Sequence, residues 1–277
     1  MNIKYLIIST YPANGSKNIG DKLIERSSRS AIAKCHPSGV AEFRVVWRKE
    51  KWSKVEEDVL WADKIVFACF AIRNKMMLIY PWINNIINCG KPYMCLAAGA
   101  SIVPISGYAV EDQIDKHNQK LIRDVAGSAH TFTTRGRLTQ RLCERIGLTN
   151  SVFTGDVSFC GFPEVRRKFL AKVRRKFLGR TNGNLIQSIA ISDPHNEHYY
   201  IPVLLDLVGQ LREMFPDAVI RGITHGQQSS GVIAALKNQE IECVEAWKEP
   251  EEGLNAYDDC DIHIGFRVHG HVTALSK

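Results

Sequence analysis

Arg267 and His269, two residues apart near the end of the chain, carry the strongest indication of chemistry in this sequence. They follow an apolar, strand-like run over 261–266. Side chains alternate along a strand, so both point to one side if the strand continues. Arginine supplies a permanent cation and histidine a proton near neutral pH. The pair could supply a fixed cation and a proton to a ligand, although a capping histidine beside a structural arginine also fits, and Arg-x-His is a weak signal in isolation. Gly270 and the following VTALS favour a helix, so we prefer His269 to His271.

A second candidate is the run Asn18-Ile19-Gly20-Asp21, which follows the first apolar strand and opens a helix. A helix N-terminus presents backbone N–H groups and a positive dipole end, and both attract phosphate or carboxylate. Gly20 would let a ligand approach the backbone closely. Asn18, Gly20 and Asp21 are therefore substrate-binding candidates. Taken alone, such a run is more often a simple helix cap made by Asn18 or Asp21.

Two further candidates stand where predicted strands end. Arg135, in Thr-Thr-Arg before a helix, can bind a carboxylate or phosphate through its two-pronged guanidinium. A surface arginine at a helix start is an equal alternative. Asp156, in Gly-Asp after the next strand, could orient a sugar hydroxyl or support a neighbouring arginine, although a turn aspartate is the favoured interpretation.

His195 and His225 lie in predicted loops after strands of the second half, and both are substrate-binding candidates. His195 and His198 are three residues apart, but no further ligand cluster accompanies them. We therefore expect no metal site and no cofactor. The sequence also contains no GxGxxG, P-loop or GxSxG motif.

Apolar strands alternate with amphipathic helices along the whole chain, and these elements must position the candidates. Helices are predicted over Met76–Asn88, despite Pro81, and over Glu111–Gly127. Continuous apolar strands between amphipathic helices indicate parallel sheets covered on both faces. The fold class is therefore α/β, with two Rossmann-like domains and mostly parallel sheets.

We place the domains at 1–162 and 185–277, joined by a basic linker over 163–184. The C-terminal domain is short, and truncation after Lys277 is one interpretation of its length. Ligands of open α/β sheets bind at the carboxyl ends of the strands. A cleft between two such domains is therefore the expected site.

The charge of the chain is concentrated in one segment. The whole sequence carries +7, whereas 166–180 holds eight basic residues and no acid, which leaves −1 for the rest. A basic surface that could bind nucleic acid is therefore not expected. The segment 166–180 fits a solvated linker helix, or a peripheral contact with anionic lipid through its apolar face.

The eight cysteines form no CxxC pair, and several lie in apolar runs. This pattern suits buried free thiols in a reducing cytosol better than disulfides or a zinc site. No stretch of about 18 apolar residues exists, so no membrane span is expected. We expect a cytoplasmic protein, with the inner face of the membrane as an added location if 166–180 contacts lipid.

The order of these motifs resembles the polysaccharide pyruvyl transferase family, the ketal-pyruvate transferases of bacterial exopolysaccharide and cell-wall assembly. The similar elements read NIGD, ADKIVFACFA, KPYMCLAAGA, TTRGRLTQRL, FTGDVSF and DIHIGFRVHG, in that order. The similarity runs over nearly the whole chain. It implies a GT-B-like pair of Rossmann domains and transfer of pyruvate from phosphoenolpyruvate to a sugar of a polysaccharide precursor, which forms a ketal.

The resemblance also implies roles for the candidate residues. The acceptor would be a nucleotide-, lipid- or oligosaccharide-linked sugar. Arg135 and Arg267 would bind the phosphoenolpyruvate anion, and His269 would protonate its enol carbon. The sequence departs from the family where the glycine-rich end of the third strand is Cys69-Phe70-Ala71, and where an Arg-Asp pair is Arg135-Gly136.

Two other functions remain open at this point. A GT-B glycosyltransferase that uses a sugar nucleotide shares the architecture. Such an enzyme would need a glutamate of the second domain near the ribose, and Glu245, Glu249 and Glu251 are candidates for that role. A non-catalytic sugar-binding remnant would explain the altered strand end at Cys69 and the short C-terminal domain.

Overall fold

The computed structural model describes residues 2–11, 17–36, 40–103, 106–161, 186–227 and 229–276. The chain divides into two compact units, the first formed by Met1–Ala13 with Ile24–Gly161 and the second by Asn14–Leu23 with Phe162–Lys277. The linker over 163–184 and the lipid contact through 166–180 fall outside the described residues, so the predicted boundaries and that contact stay predictions. None of the described helices is long and apolar enough to span a bilayer.

The first unit is built on a parallel sheet. Its strands are β1 Ile3–Ser9, β2 Ala41–Trp47, β3 Lys64–Ala68, β4 Ala71–Ile72, β5 Tyr93–Ala100, β6 Thr131–Thr134 and β7 Ser151–Phe153. The helices are α1 Ile19–Lys34, α2 Trp52–Trp61, α3 Ile83–Asn88, α4 Lys116–Ser128 and α5 Arg137–Arg145. The first residues of α1 belong to the second unit. The strand order is β2-β1-β3-β5-β6-β7, with β4 paired to β5, and every pairing is parallel.

Two predicted helices of the first unit have different bounds in the structure. The helix predicted over Met76–Asn88 is wrong as a single element, because only a 3₁₀ turn over Met76–Leu78 and the short α3 form there. Pro81 separates them, since proline has no N–H to donate and disfavours helical backbone before it. Helix α4 begins only at Lys116, where the Asp115 carboxylate accepts a hydrogen bond from the Asn118 N–H at 2.8 Å.

The second unit has a smaller parallel sheet. Its strands are β8 Ser188–Ser192, β9 Val219–Thr224, β10 Glu242–Glu245 and β11 Ile262–Gly265, and its helices are α6 Glu197–Met214, α7 Ser230–Lys237 and α8 Val268–Ser276. The order is β10-β9-β8-β11, and all three pairings are parallel. The order in which the chain adds strands to the sheet thus reverses between β8 and β11, although the strands stay parallel. The crevice at such a reversal is where open α/β sheets bind ligands.

The Arg-x-His motif does not continue a strand. Strand β11 ends at Gly265 and helix α8 begins at Val268, so Arg267 lies in the connection and His269 in the first helical turn. The condition under which both side chains would point to one side of a continued strand is therefore not met. Gly265 has a φ of +146°, and a Cβ there would be 2.5 Å from Ser192 Oγ, so the turn requires glycine.

Candidate functional site

Arg267 is held in place by a buried carboxylate at the carboxyl end of the neighbouring strand. Its Nε donates to Asp193 Oδ1 at 3.0 Å, and its Nη2 donates to Asp193 Oδ2. The Arg267 side chain is 14% exposed and that of Asp193 is fully buried. Asp193 follows β8 and Arg267 follows β11, which are parallel neighbours with Gly265 in register with Ser192. The sheet reversal therefore brings the pair together.

Asp193 receives further hydrogen bonds from the second unit. Its Oδ1 accepts from the His225 backbone N–H at 2.9 Å, and its Oδ2 accepts from Ser229 Oγ at 2.7 Å. The Arg267 backbone N–H in turn donates to Ser192 Oγ at 3.2 Å. Charge-assisted hydrogen bonds of this kind are short and directional. The network fixes both the carboxylate and the start of α8.

His269 packs against the backbone of Gly20. A Cβ placed on Gly20 would lie 2.6 Å from His269 Nδ1 and 3.0 Å from His269 Cβ, so any larger residue would displace the imidazole. The His269 carbonyl accepts from Thr273 Oγ1 at 2.7 Å inside α8. Gly20 therefore makes room for a side chain of its own unit, which is a different role from the ligand approach expected from the sequence.

The start of α1 is already capped. The Asn18 side-chain oxygen accepts from the Gly20 N–H at 2.9 Å, and the Asn18 carbonyl accepts from the Asp21 N–H at 3.0 Å. The Ile19 N–H donates to the His225 carbonyl at 3.0 Å. The structure thus shows the capping interpretation for Asn18. An anion could use these amides only by displacing their present acceptors.

His225 is a buried, neutral histidine. It is 1% exposed, and its Nε2 lies 2.6 Å from the hydroxyl of Tyr257, which is itself buried. Burial lowers the pKa of His225 to about 3, and burial raises the pKa of Tyr257. His225 is thus buried in the connection after β9, and its substrate-binding role stays a prediction. Its backbone N–H holds Asp193.

A pair of histidines, His263 and His271, also lies in the second unit. His263 Nδ1 is 2.9 Å from His271 Nδ1, and His271 Nε2 is 3.2 Å from the Gly265 carbonyl. Burial, and then the neighbouring His271, lower the pKa of His263 to about 4. His271 is thus engaged in supporting β11 and α8. His195, by contrast, lies exposed in the loop before α6, and its substrate-binding role stays a prediction.

In the first unit, Arg135 follows β6, and its side chain lies next to Asp156, Cys69 and Gly99. Its Nη1 lies 3.7 Å from Asp156 Oδ2 and 3.6 Å from Cys69 Sγ, and one third of its side chain is exposed. Asp156 also accepts from the Ser158 N–H at 2.9 Å. A Cβ on Gly99 would collide with the Arg135 guanidinium. Asp156 thus makes the turn contact that its sequence context favours and also lies beside Arg135, while a contact with a sugar hydroxyl stays a prediction.

Cys69 adopts backbone geometry that glycine would adopt at lower cost. Its φ is +62°, in the left-handed region, and its side chain is buried. The cysteine stands where the sequence departs from a glycine-rich strand end. Its thiol fills the space beside the Arg135 guanidinium.

Metal-ligating side chains do not gather in the part of the chain that the structure describes. No group of three or more His, Cys, Asp or Glu residues there could hold a metal ion.

A family model described as polysaccharide pyruvyl transferase matches residues 18–277. The chain belongs to this family. The match begins at Asn18, the first residue of the NIGD motif, and includes Arg135, Arg267 and His269. The polysaccharide pyruvyl transferase resemblance stated from the motifs is thereby confirmed. No curated protein matches the chain.

Two solved structures are similar to this pyruvyl transferase family member. The UDP-GlcNAc 2-epimerase from Neisseria meningitidis, bound to UDP-GlcNAc, aligns with a TM-score of 0.55 and 8% identity over 97% of this chain and 78% of the epimerase. The UDP-N-acetylglucosamine 2-epimerase from Rickettsia bellii aligns with a TM-score of 0.39 and 14% identity over 99% and 71%. The first likeness shows the fold alone and confirms the α/β, GT-B-like fold class. The second supports no conclusion.

Sequence reasoning missed Asp193 and Tyr257 in this pyruvyl transferase family member. Asp193 follows an apolar strand directly, in Ser-Asp-Pro-His, and that position is the signal that could have found it. The residue predicted to bind substrate in this loop was instead His195, two residues later. Tyr257 lies in a 3₁₀ turn over Gly253–Tyr257, and no periodicity in the sequence connects it with His225.

Proposed function

We propose that this protein transfers pyruvate from phosphoenolpyruvate to a sugar of a polysaccharide precursor and forms a cyclic ketal. Membership of the pyruvyl transferase family supports the reaction class. The observation that carries the proposal is the bidentate Asp193–Arg267 pair at the reversal of the second sheet, with His269 two residues further on in the first turn of α8. A fixed guanidinium and an imidazole are the two groups that the chemistry needs.

The donor is a small anion with a phosphate and a carboxylate. Arg267 binds one of these groups, and the dipole at the N-terminal end of α8 favours negative charge nearby. Arg135 is the proposed donor-binding cation of the first unit, steadied by Asp156 and Cys69. Loss of Arg135 is expected to weaken donor binding more than turnover.

His269 is the proposed general acid. It gives a proton to the methylene carbon of the enol, which leaves an oxocarbenium-like centre at the adjacent carbon. One sugar hydroxyl adds to that carbon and loses its proton. A second hydroxyl of the same sugar displaces phosphate and closes the ketal. Proton transfer by a positioned side chain typically contributes ~10²–10⁴-fold to the rate.

The acceptor is proposed to be a nucleotide- or lipid-linked sugar. The likeness in fold to an epimerase bound to UDP-GlcNAc supports the nucleotide-linked class. The same likeness also favours the alternative function, a glycosyltransferase that uses a sugar nucleotide as donor. The pyruvyl transferase would consume phosphoenolpyruvate, whereas the glycosyltransferase would consume the sugar nucleotide.

Product analysis separates the two functions. The protein is incubated with phosphoenolpyruvate and a panel of nucleotide- and lipid-linked sugars, and products are read by mass spectrometry. The proposal expects a sugar that has gained pyruvic acid less one water, together with inorganic phosphate. Thermal stabilisation by a sugar nucleotide alone, with release of a free nucleoside diphosphate and no phosphoenolpyruvate consumption, would establish the glycosyltransferase instead.

A further inference from the structure

We infer that Asp193 is the positioning residue of the donor site, and that it orients Arg267 so that the outer edge of the guanidinium takes a two-oxygen anionic group. This inference rests on the proposed function, because it names which part of the donor Arg267 reads. The carboxylate of Asp193 makes no contact with the donor in this scheme. It acts only through Arg267.

The geometry of the pair leaves one edge of the guanidinium for a ligand. Asp193 occupies the side formed by Nε and Nη2. Within the described part of the chain, no residue accepts a hydrogen bond from Arg267 Nη1. The edge formed by Nη1 and the second Nη2 hydrogen therefore has donors left for an acceptor pair. Arginine forks bind planar carboxylates and phosphates through two parallel N–H···O bonds in this manner.

The surroundings of Asp193 hold its carboxylate in one orientation. Two donors besides Arg267 reach it, Ser229 Oγ and the His225 N–H, and the Asp193 backbone N–H donates to the Ile223 carbonyl at 3.1 Å. Because the carboxylate is fully buried, it could not be re-solvated if the guanidinium rotated away. The Asp193–Arg267 pair carries no net charge, so the remaining edge of the guanidinium selects a ligand by hydrogen-bond geometry.

The test compares Asp193→Asn with Ser229→Ala in the full chain. Asp193→Asn keeps the size of the side chain but removes an acceptor and the charge, and we expect the donor KM to rise about tenfold or more with kcat changed much less. Ser229→Ala, which keeps the buried carboxylate, is measured in parallel in case Asp193→Asn fails to fold, and it should raise the donor KM severalfold. Thr224→Val is the matched control, since the Thr224 hydroxyl is buried without a partner in the described structure.

A double-mutant comparison distinguishes positioning from a general loss of structure. In an Arg267→Lys background the same Asp193→Asn change should have little further effect on donor affinity, because the fork that it orients is already gone. Folded Asp193→Asn and Ser229→Ala proteins with the wild-type donor KM, or independent effects in the double variant, would overturn the inference.

Direct binding separates failure of this inference from failure of the proposed function. Affinities for phosphoenolpyruvate and for inorganic phosphate are measured by calorimetry without any acceptor. If the wild-type protein binds phosphoenolpyruvate but transfers no pyruvate, the proposed function fails, while a loss of affinity in Asp193→Asn still supports the fork. If the wild-type protein binds neither anion, both are contradicted.

Discussion

The imidazole of His269 lies against the backbone of Gly20, so closely that a methyl group on Gly20 would be 2.6 Å from Nδ1. The two residues are almost the full length of the chain apart, and both belong to the second unit. The NIGD motif and the Arg-x-His motif are thus two parts of one site. A sequence motif that predicts a ligand-binding glycine here provides space for a side chain.

Gly20→Ala is expected to displace His269 and lower kcat about 100-fold, because a displacement of about 1 Å can cost that much. The donor KM should change little, since Arg267 keeps its contacts with Asp193. Steady-state kinetics with phosphoenolpyruvate checks both values. Gly127→Ala, in α4, is the control, because a Cβ there meets nothing within 4 Å, and it should leave kcat unchanged. An active Gly20→Ala enzyme with normal kcat would contradict the packing argument.

Gly99→Ala tests the placement of Arg135 without removing any charge. The added Cβ would collide with the guanidinium, so we expect the dissociation constant of the donor to rise about tenfold, close to the effect of Arg135→Ala. The measurement is donor binding by calorimetry, with folding followed by circular dichroism. Gly136→Ala, next to Arg135 but with open space at its Cβ, is the matched control. Equal donor affinity in Gly99→Ala and Gly136→Ala would show that Arg135 does not depend on Gly99.

Stability should fall on mild acidification because of His225. Its pKa is about 3 in the folded protein against an ordinary 6.5, so below pH 6.5 the unfolded chain gains a proton that the folded protein excludes. The stabilisation is complete above pH 6.5 and is lost progressively toward pH 3. Between pH 7.5 and pH 5 this group alone should cost about 2 kcal/mol. Urea unfolding at the two pH values measures the difference.

The matched variants for that measurement are His225→Gln and His195→Gln. Glutamine at 225 keeps a hydrogen-bonding partner for the Tyr257 hydroxyl but does not titrate, so the loss of stability on acidification should shrink by about 2 kcal/mol. His195 is exposed, and its replacement should leave the pH dependence as it is. The same pH dependence in all three proteins would mean that His225 takes up its proton in the folded state.

The alternation of strands and helices was predictable because buried parallel strands must be continuously apolar. Both described sheets confirm it. The break in the helix predicted over Met76–Asn88 was not predictable in the same way, because the helical spacing of the apolar residues outweighed Pro81 in the prediction. Element ends depend on single contacts, such as the one between Gly265 and Ser192, that sequence spacing does not reveal.

The candidate site was predictable in its chemical groups but not in its connections. Arg267 and His269 could be identified from residue type and spacing, but their relative orientation could not, since a helix begins between them at Val268 instead of a continued strand. Asp193 was missed because a carboxylate that serves only to hold an arginine has no motif of its own. The low pKa of His225 results from burial, and burial depends on tertiary packing.

His269 has the central role in the proposed pyruvate transfer. The decisive measurement is phosphate release from phosphoenolpyruvate, in the presence of the sugar that serves as acceptor, by the wild-type protein and by His269→Asn. We expect sugar-dependent phosphate release by the wild type and a loss of at least ~10²-fold in the variant, with the affinity for phosphoenolpyruvate retained. A folded His269→Asn protein that turns over at the wild-type rate would contradict it.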